Sequence, residues 1–147
     1  MHFSFYLAAV LAGVFIPLQA AVNGSLRKTS ESPVFAALVS FAGGTLALMV
    51  LLLATPVAKP KLEQVSGTPW YGYTGGLLGA FFVIVAVLSQ PKIGAASLVA
   101  CMVLGQVICS MIFDHYGIFG ISIRELTVTR ALGGLLVVGG VILVVKP

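Results

Sequence analysis

Apolar residues along this chain fall into five blocks, at about 4–26, 33–54, 69–89, 95–113 and 126–145, parted by short polar links. Each block approaches the roughly 20 residues that a helix needs to cross the hydrocarbon core of a bilayer. The pattern predicts an all-α integral membrane protein with five transmembrane helices, forming a single membrane domain over residues 1–147. The boundaries carry their own signals. Ser32–Pro33 reads as an N-cap followed by proline at the first helical position, and Thr68–Pro69 repeats the device at the third span. Ser89–Gln90–Pro91–Lys92–Ile93–Gly94 reads as a tight turn into the fourth span, which Asp114–His115–Tyr116–Gly117 closes.

The first span has no Asp, Glu, Lys or Arg from Met1 to Leu26, yet it holds Pro17, Gln19 and Asn23. Pro17 has no N–H, so the Gly13 carbonyl loses its helical partner and a bend is expected. Gln19 and Asn23 are four apart and share a face. At about 100° per residue, Gly13, Ala20 and Gly24 are expected beside them, with Leu11, Phe15, Leu18, Val22 and Leu26 opposite. Two roles suit such amides. They fasten neighbouring helices, at about 0.6–2 kcal/mol per bond, or they line a substrate pathway. The segment lacks a basic n-region, and neither Leu18–Gln19–Ala20 nor Ala20–Ala21–Val22 has small residues at both cleavage positions. It is therefore read as a retained span rather than a signal peptide.

Small residues recur on the later spans. Ala36, Ser40, Gly43, Gly44, Ala47 and Ala54 fall on one side of the second, and Gly72, Gly75, Gly76, Gly79 and Ala80 on the third. Ser97, Cys101, Gly105 and Cys109 repeat every four residues on the fourth, with Gln106 beside them, and Gly133–Gly134 and Gly139–Gly140 mark the fifth. Such stripes let helix backbones approach closely, as the GxxxG spacing of Gly75 and Gly79 does. Gly43, Gly75, Gly79, Gly105, Gly133 and Gly134 are the candidates for helix packing or a dimer contact. Trp70, Tyr71 and Tyr73 suit headgroup depth, and Arg130 is expected to snorkel to the surface.

Composition agrees with the pattern. Of 147 residues only 8% are charged, where soluble domains run at about 25%, and mean hydropathy is +1.12. The net charge of +4 suits anionic headgroups rather than nucleic acid. Cys101 and Cys109 lie about 12 Å apart along one helix, too far for a disulfide, and no metal or cofactor is expected. The spans leave no room for a soluble catalytic domain, and no P-loop, GxSxG, HExxH or paired-carboxylate motif occurs, so enzyme chemistry is not expected. Basic residues in short loops set orientation. Here Lys59, Lys61, Arg124 and Arg130 stand against Arg27, Lys28, Lys92 and Lys146, a balance that permits either a single orientation or dual topology with antiparallel pairing.

Several of these pieces together resemble one family. They are Asn23–Gly24–Ser25–Leu26, the Ser40–Phe41 to Gly44–Thr45 stretch, and Pro69–Trp70 leading to Gly75–Gly76–Leu77–Leu78–Gly79–Ala80–Phe81. Pro91–Lys92–Ile93–Gly94–Ala95–Ala96, Gly105–Gln106, Asp114–His115–Tyr116–Gly117 and the Arg130 to Gly140 helix complete the set. The chain resembles, over nearly its whole length, the YdcZ-type branch of the drug/metabolite transporter superfamily, small bacterial inner-membrane proteins described as exporters. The resemblance implies a half-transporter unit, comparable to half of a ten-helix transporter and related to the four-helix small multidrug resistance proteins. Those work as antiparallel dimers, with a first-helix glutamate that exchanges protons for cations. This chain has no acid there, so that proton mechanism does not carry over.

The candidate pathway residues are Phe15, Gln19, Asn23, Trp70 and Gln106. Neutral amides suit a polar, neutral or zwitterionic metabolite and serve a permanent cation poorly, although aromatic rings can partly substitute for a counter-ion. Asp114 and His115 are the candidates for proton coupling, since histidine titrates near physiological pH. The leading expectation is a secondary transporter that exports a small molecule by alternating access as an antiparallel homodimer in the lipid bilayer. The alternatives are a non-transporting packing subunit and one half of a heterodimer with a paralogue.

Overall fold

A computed structural model describes residues 3–56 and 60–146, apart from the side chain of Leu62. Lys59, one of the residues weighed for orientation, lies outside the described residues. The elements are α1 (Phe3–Ser30), α2 (Pro33–Ala54), α3 (Leu62–Ser66), α4 (Gly75–Ile93), α5 (Ala95–Tyr116) and α6 (Val128–Val145). Short 3-10 turns cover Trp70–Tyr73 and Ile118–Gly120. Among the described residues five helices, all but the short α3, are long and apolar enough to cross a membrane. Large apolar side chains such as Phe3, Leu77 and Leu136 stand exposed along them, which lipid tolerates and water does not.

Local chemistry sets each end. The α1 helix passes through Pro17 and runs beyond Leu26, carrying Arg27 and Lys28 in its last turn. The Ser30 hydroxyl donates to the Leu26 carbonyl at 2.8 Å, and Glu31 takes a left-handed φ of 55° that breaks the helix. Ser32 then caps α2, its hydroxyl accepting from the Phe35 N–H at 3.1 Å. The third span does not start at Thr68–Pro69. Those residues precede the 3-10 turn, where the Tyr73 hydroxyl donates to the Val65 carbonyl, and the long helix begins at Gly75.

The link expected at Ser89–Gly94 is also shorter. The α4 helix contains Pro91 and continues to Ile93, so Gly94 alone, at φ 80°, turns the chain into α5. Gly117 ends α5 at φ 63°, and a Cβ there would lie 2.8 Å from Ile123 Cγ1, so the position needs glycine for both reasons.

The chain divides into two compact units, Met1–Leu88 and Ser89–Pro147. In the first, Ala37, Val83 and Val87 form a buried cluster that Phe41, Phe82 and Ile84 extend. Gly79 makes room for this packing: a Cβ there would meet Phe41 Cζ at 2.9 Å. Its GxxxG partner Gly75 faces open space within the chain. In the second unit α5 packs on α6, with Gly134 seated over Met111.

Candidate functional site

The α1 and α2 helices border a groove of about 600 Å³ within the first unit. From α1 it takes Phe15, Leu18, Gln19, Val22, Asn23 and Leu26, and from α2 it takes Ser40, Gly43 and Gly44. The expected split of α1 into an amide side and an opposing oily side does not hold. Phe15 and Leu26 stand four before and seven after Gln19, and steps of three and four return a helix to the same sector. Apolar residues therefore flank the amides on one wall. Gly43 and Gly44 meet nothing within 4 Å where a Cβ would project, which leaves the opposite wall bare.

The two amides differ in what they touch. Gln19 Nε2 donates to Ser40 Oγ at 3.3 Å, joining α1 to α2 across the groove. Ser40 was legible in the sequence only as one small residue in a stripe. Asn23 is 5% exposed, yet among the described residues no hydrogen bond reaches its side chain. Asn23 lines the groove, and among the described residues no fully enclosed polar side-chain atom lacks a partner, so its amide atoms keep some exposure. A buried amide without a partner costs about 1–3 kcal/mol, and Asn23 borders the open volume of the groove.

Trp70 and Gln106 are not among the residues that line this groove. Trp70 sits in the 3-10 turn, 79% exposed and edge-on to Tyr71 with ring centroids 6.2 Å apart. Gln106 belongs to α5 in the second unit, where it is exposed and makes no hydrogen bond among the described residues. At Gly43, Gly75, Gly105 and Gly133 no atom among the described residues lies within 4 Å of the place a Cβ would take, whereas Gly79 and Gly134 pack against side chains.

Asp114 and His115 are both engaged. Asp114 Oδ2 pairs with the Arg130 guanidinium, and the Leu126 N–H donates to His115 Nδ1 at 3.3 Å. Arg130 therefore does not simply snorkel: it has an anion beside it and also donates to the Arg124 carbonyl at 2.9 Å. His115 borders a second groove of about 580 Å³ between α5 and α6, whose other walls, Ile108, Met111, Leu135 and Val138 among them, are largely apolar.

One interaction lay hidden in the sequence. Arg27 Nη1 donates at 3.0 Å to the carbonyl of Val87, a fully buried residue of α4. That carbonyl would normally accept from the N–H four residues on, but position 91 is proline. A proline inside an apolar span was the available signal; it tells which carbonyl is orphaned but not which side chain reaches it.

A family model described as "Putative inner membrane exporter, YdcZ" matches residues 4–143. The chain is 28% identical over 130 residues to the Inner membrane protein YdcZ of Escherichia coli (strain K12), an overlap covering 88% of this chain and 87% of that protein. No solved structure matches it. With five apolar helices and a family match over nearly all of its length, the chain is a multi-pass inner membrane protein and belongs to the YdcZ family of exporters, transporters rather than enzymes.

Proposed function

We propose that this protein exports a small molecule by alternating access, that the groove between α1 and α2 is its substrate site, and that the working unit is a pair of copies. The observation that carries the reading is Asn23, an almost wholly buried amide with no hydrogen-bond partner among the described residues, beside 600 Å³ of open groove. Volumes of about 300–1,000 Å³ are usual for small-molecule sites. Pairing is supported by the small residues Gly75, Gly105 and Gly133, where no atom among the described residues lies within 4 Å of the place a Cβ would take. A second copy packing on such residues is the way membrane helices bring backbones together. An antiparallel pair of five-span units would supply the inverted repeat that many transporters encode in one chain.

Transport is testable without knowing the substrate. Inverted membrane vesicles holding the protein, incubated with an isotope-labelled metabolite extract, are expected to accumulate a subset of neutral solutes detectable by mass spectrometry. Gln19→Leu removes the bond to Ser40 and is expected to reduce that accumulation about tenfold, one hydrogen bond's worth of free energy, while cross-linked dimers persist. Loss of the dimer with Gln19→Leu would instead favour a packing role for the amide.

Dual topology is the orientation that the balanced basic residues favour. Reporters fused after Lys146 are expected to be active on both sides of the membrane. Activity in one compartment only would leave a single orientation, and with it a parallel pair or a different partner.

A further inference from the structure

We infer that the α1–α2 groove holds an uncharged molecule presenting an amide-like edge, a hydrogen-bond donor and an acceptor side by side, to the side chain of Asn23. The inference rests on the reading of this groove as the transport site and narrows what it takes.

Three observations lead there. First, no residue lining the groove is ionisable: the walls are apolar side chains, bare glycine backbone, and the neutral groups of Gln19, Asn23 and Ser40. An ionic ligand would lie without a counter-ion beside lipid, where charge is costly. Second, the polar capacity on offer is specific. Gln19 gives one N–H to Ser40 on the open side of the groove, whereas Asn23 is 5% exposed and its whole amide is unpartnered among the described residues. A carboxamide carries an acceptor oxygen and an NH2 donor. A ligand with only an acceptor, such as a ketone, leaves the Asn23 oxygen unpaired, and a ligand amide or lactam satisfies both atoms at once. Third, the rest of the groove is built for an apolar body, with the Phe15 ring on α1 and the unshielded backbone of Gly43 and Gly44 on α2.

These features also weigh against the competing occupants. A lipid acyl chain fills apolar volume but leaves the Asn23 amide as unsatisfied as before. A second copy of the chain would have to deliver a polar group into the groove at this one position.

The test uses a matched set of probes with one ring and three charges: benzamide, benzoate and benzylammonium. The full-length protein in lipid nanodiscs is heated with each, since a ligand that binds the folded state raises the apparent melting temperature. Benzamide is expected to raise it at concentrations at least tenfold below those at which either ion acts. Asn23→Leu is expected to abolish the benzamide shift, while the unliganded variant melts no lower than the parent, because leucine replaces an amide with no hydrogen-bond partner among the described residues.

Equal or stronger action of benzoate or benzylammonium overturns the inference, as does an undiminished benzamide shift in Asn23→Leu. A lower melting temperature for the unliganded variant also overturns it, since Asn23 would then be a structural amide. Failure of all three probes sinks the amide-edge assignment and leaves export itself to the vesicle assay, which presupposes no ligand.

Discussion

Arg27→Ala is expected to lower the stability of this protein by about 1.5–3 kcal/mol, and Pro91→Ala is expected to remove most of that penalty. The first number is the usual worth of a hydrogen bond to a charged donor. It applies in full here because Val87 is completely buried, so neither water nor lipid can take over its carbonyl when the guanidinium is gone. The second expectation follows from covalent chemistry. Alanine at position 91 restores the N–H that α4 lacks at that turn, and the Val87 carbonyl can then bond within its own helix.

Arg27 and Pro91 should therefore show strong coupling, about 1–2 kcal/mol in a double-mutant cycle read by denaturation in mixed detergent micelles. Additive effects would mean that Arg27 acts through its charge near the headgroups rather than through this carbonyl. The pairing also suggests why a proline is tolerated inside α4. Its cost, about 3 kcal/mol in an ordinary helix interior, is partly offset by a donor from α1.

The second large effect belongs to the Asp114–Arg130 pair. Asp114 stands in the last turn of α5 and Arg130 in the first turn of α6, so each charge sits at the end of its helix where the backbone dipole opposes it. Side by side they neutralise both conflicts. Their side chains are 25% and 31% exposed, which places the pair between exposed bridges worth 0–1 kcal/mol and buried ones costing about 3–5 kcal/mol when broken. Asp114→Asn or Arg130→Gln alone is expected to cost about 1–3 kcal/mol, and the double variant less than the sum of the two.

Arg130→Gln should be the worse of the pair. The guanidinium also holds the Arg124 carbonyl, and the Arg124 N–H donates in turn to the Asp114 carbonyl at 2.8 Å, so the connector between α5 and α6 is gathered on one residue. Equal losses from the two single variants would show that the ion pair matters and the connector bonds do not.

Part of the candidate site was legible beforehand. Gln19 and Asn23 stand out because a polar side chain in an otherwise apolar span is expensive unless it has work to do. Their neighbours were harder to read. Dividing a helix into two halves by residue size assumes that a polar face is uniformly polar. The wall of a groove between two helices instead spans a broad sector, and it takes in whatever lies at steps of three and four, here Phe15 and Leu26. The glycines teach the same lesson. Gly75 and Gly79 share one motif, but only Gly79 has Phe41 against it, because which small residue is filled depends on the register of the neighbouring helix.

What the amino-acid order determined by itself is the number, length and membrane habit of the spans. Hydrocarbon forces every backbone group to find its partner inside its own helix, so a long enough apolar run has one outcome whatever surrounds it. What only the tertiary structure decided is how the exceptions are resolved: the orphaned carbonyl answered by Arg27, the misplaced charges of Asp114 and Arg130 set against each other, and Gln19 joined to Ser40 while Asn23 has no partner among the described residues. Those partners lie 16 to 60 residues apart in the chain, and proximity across such distances is a property of helix packing that no local pattern encodes.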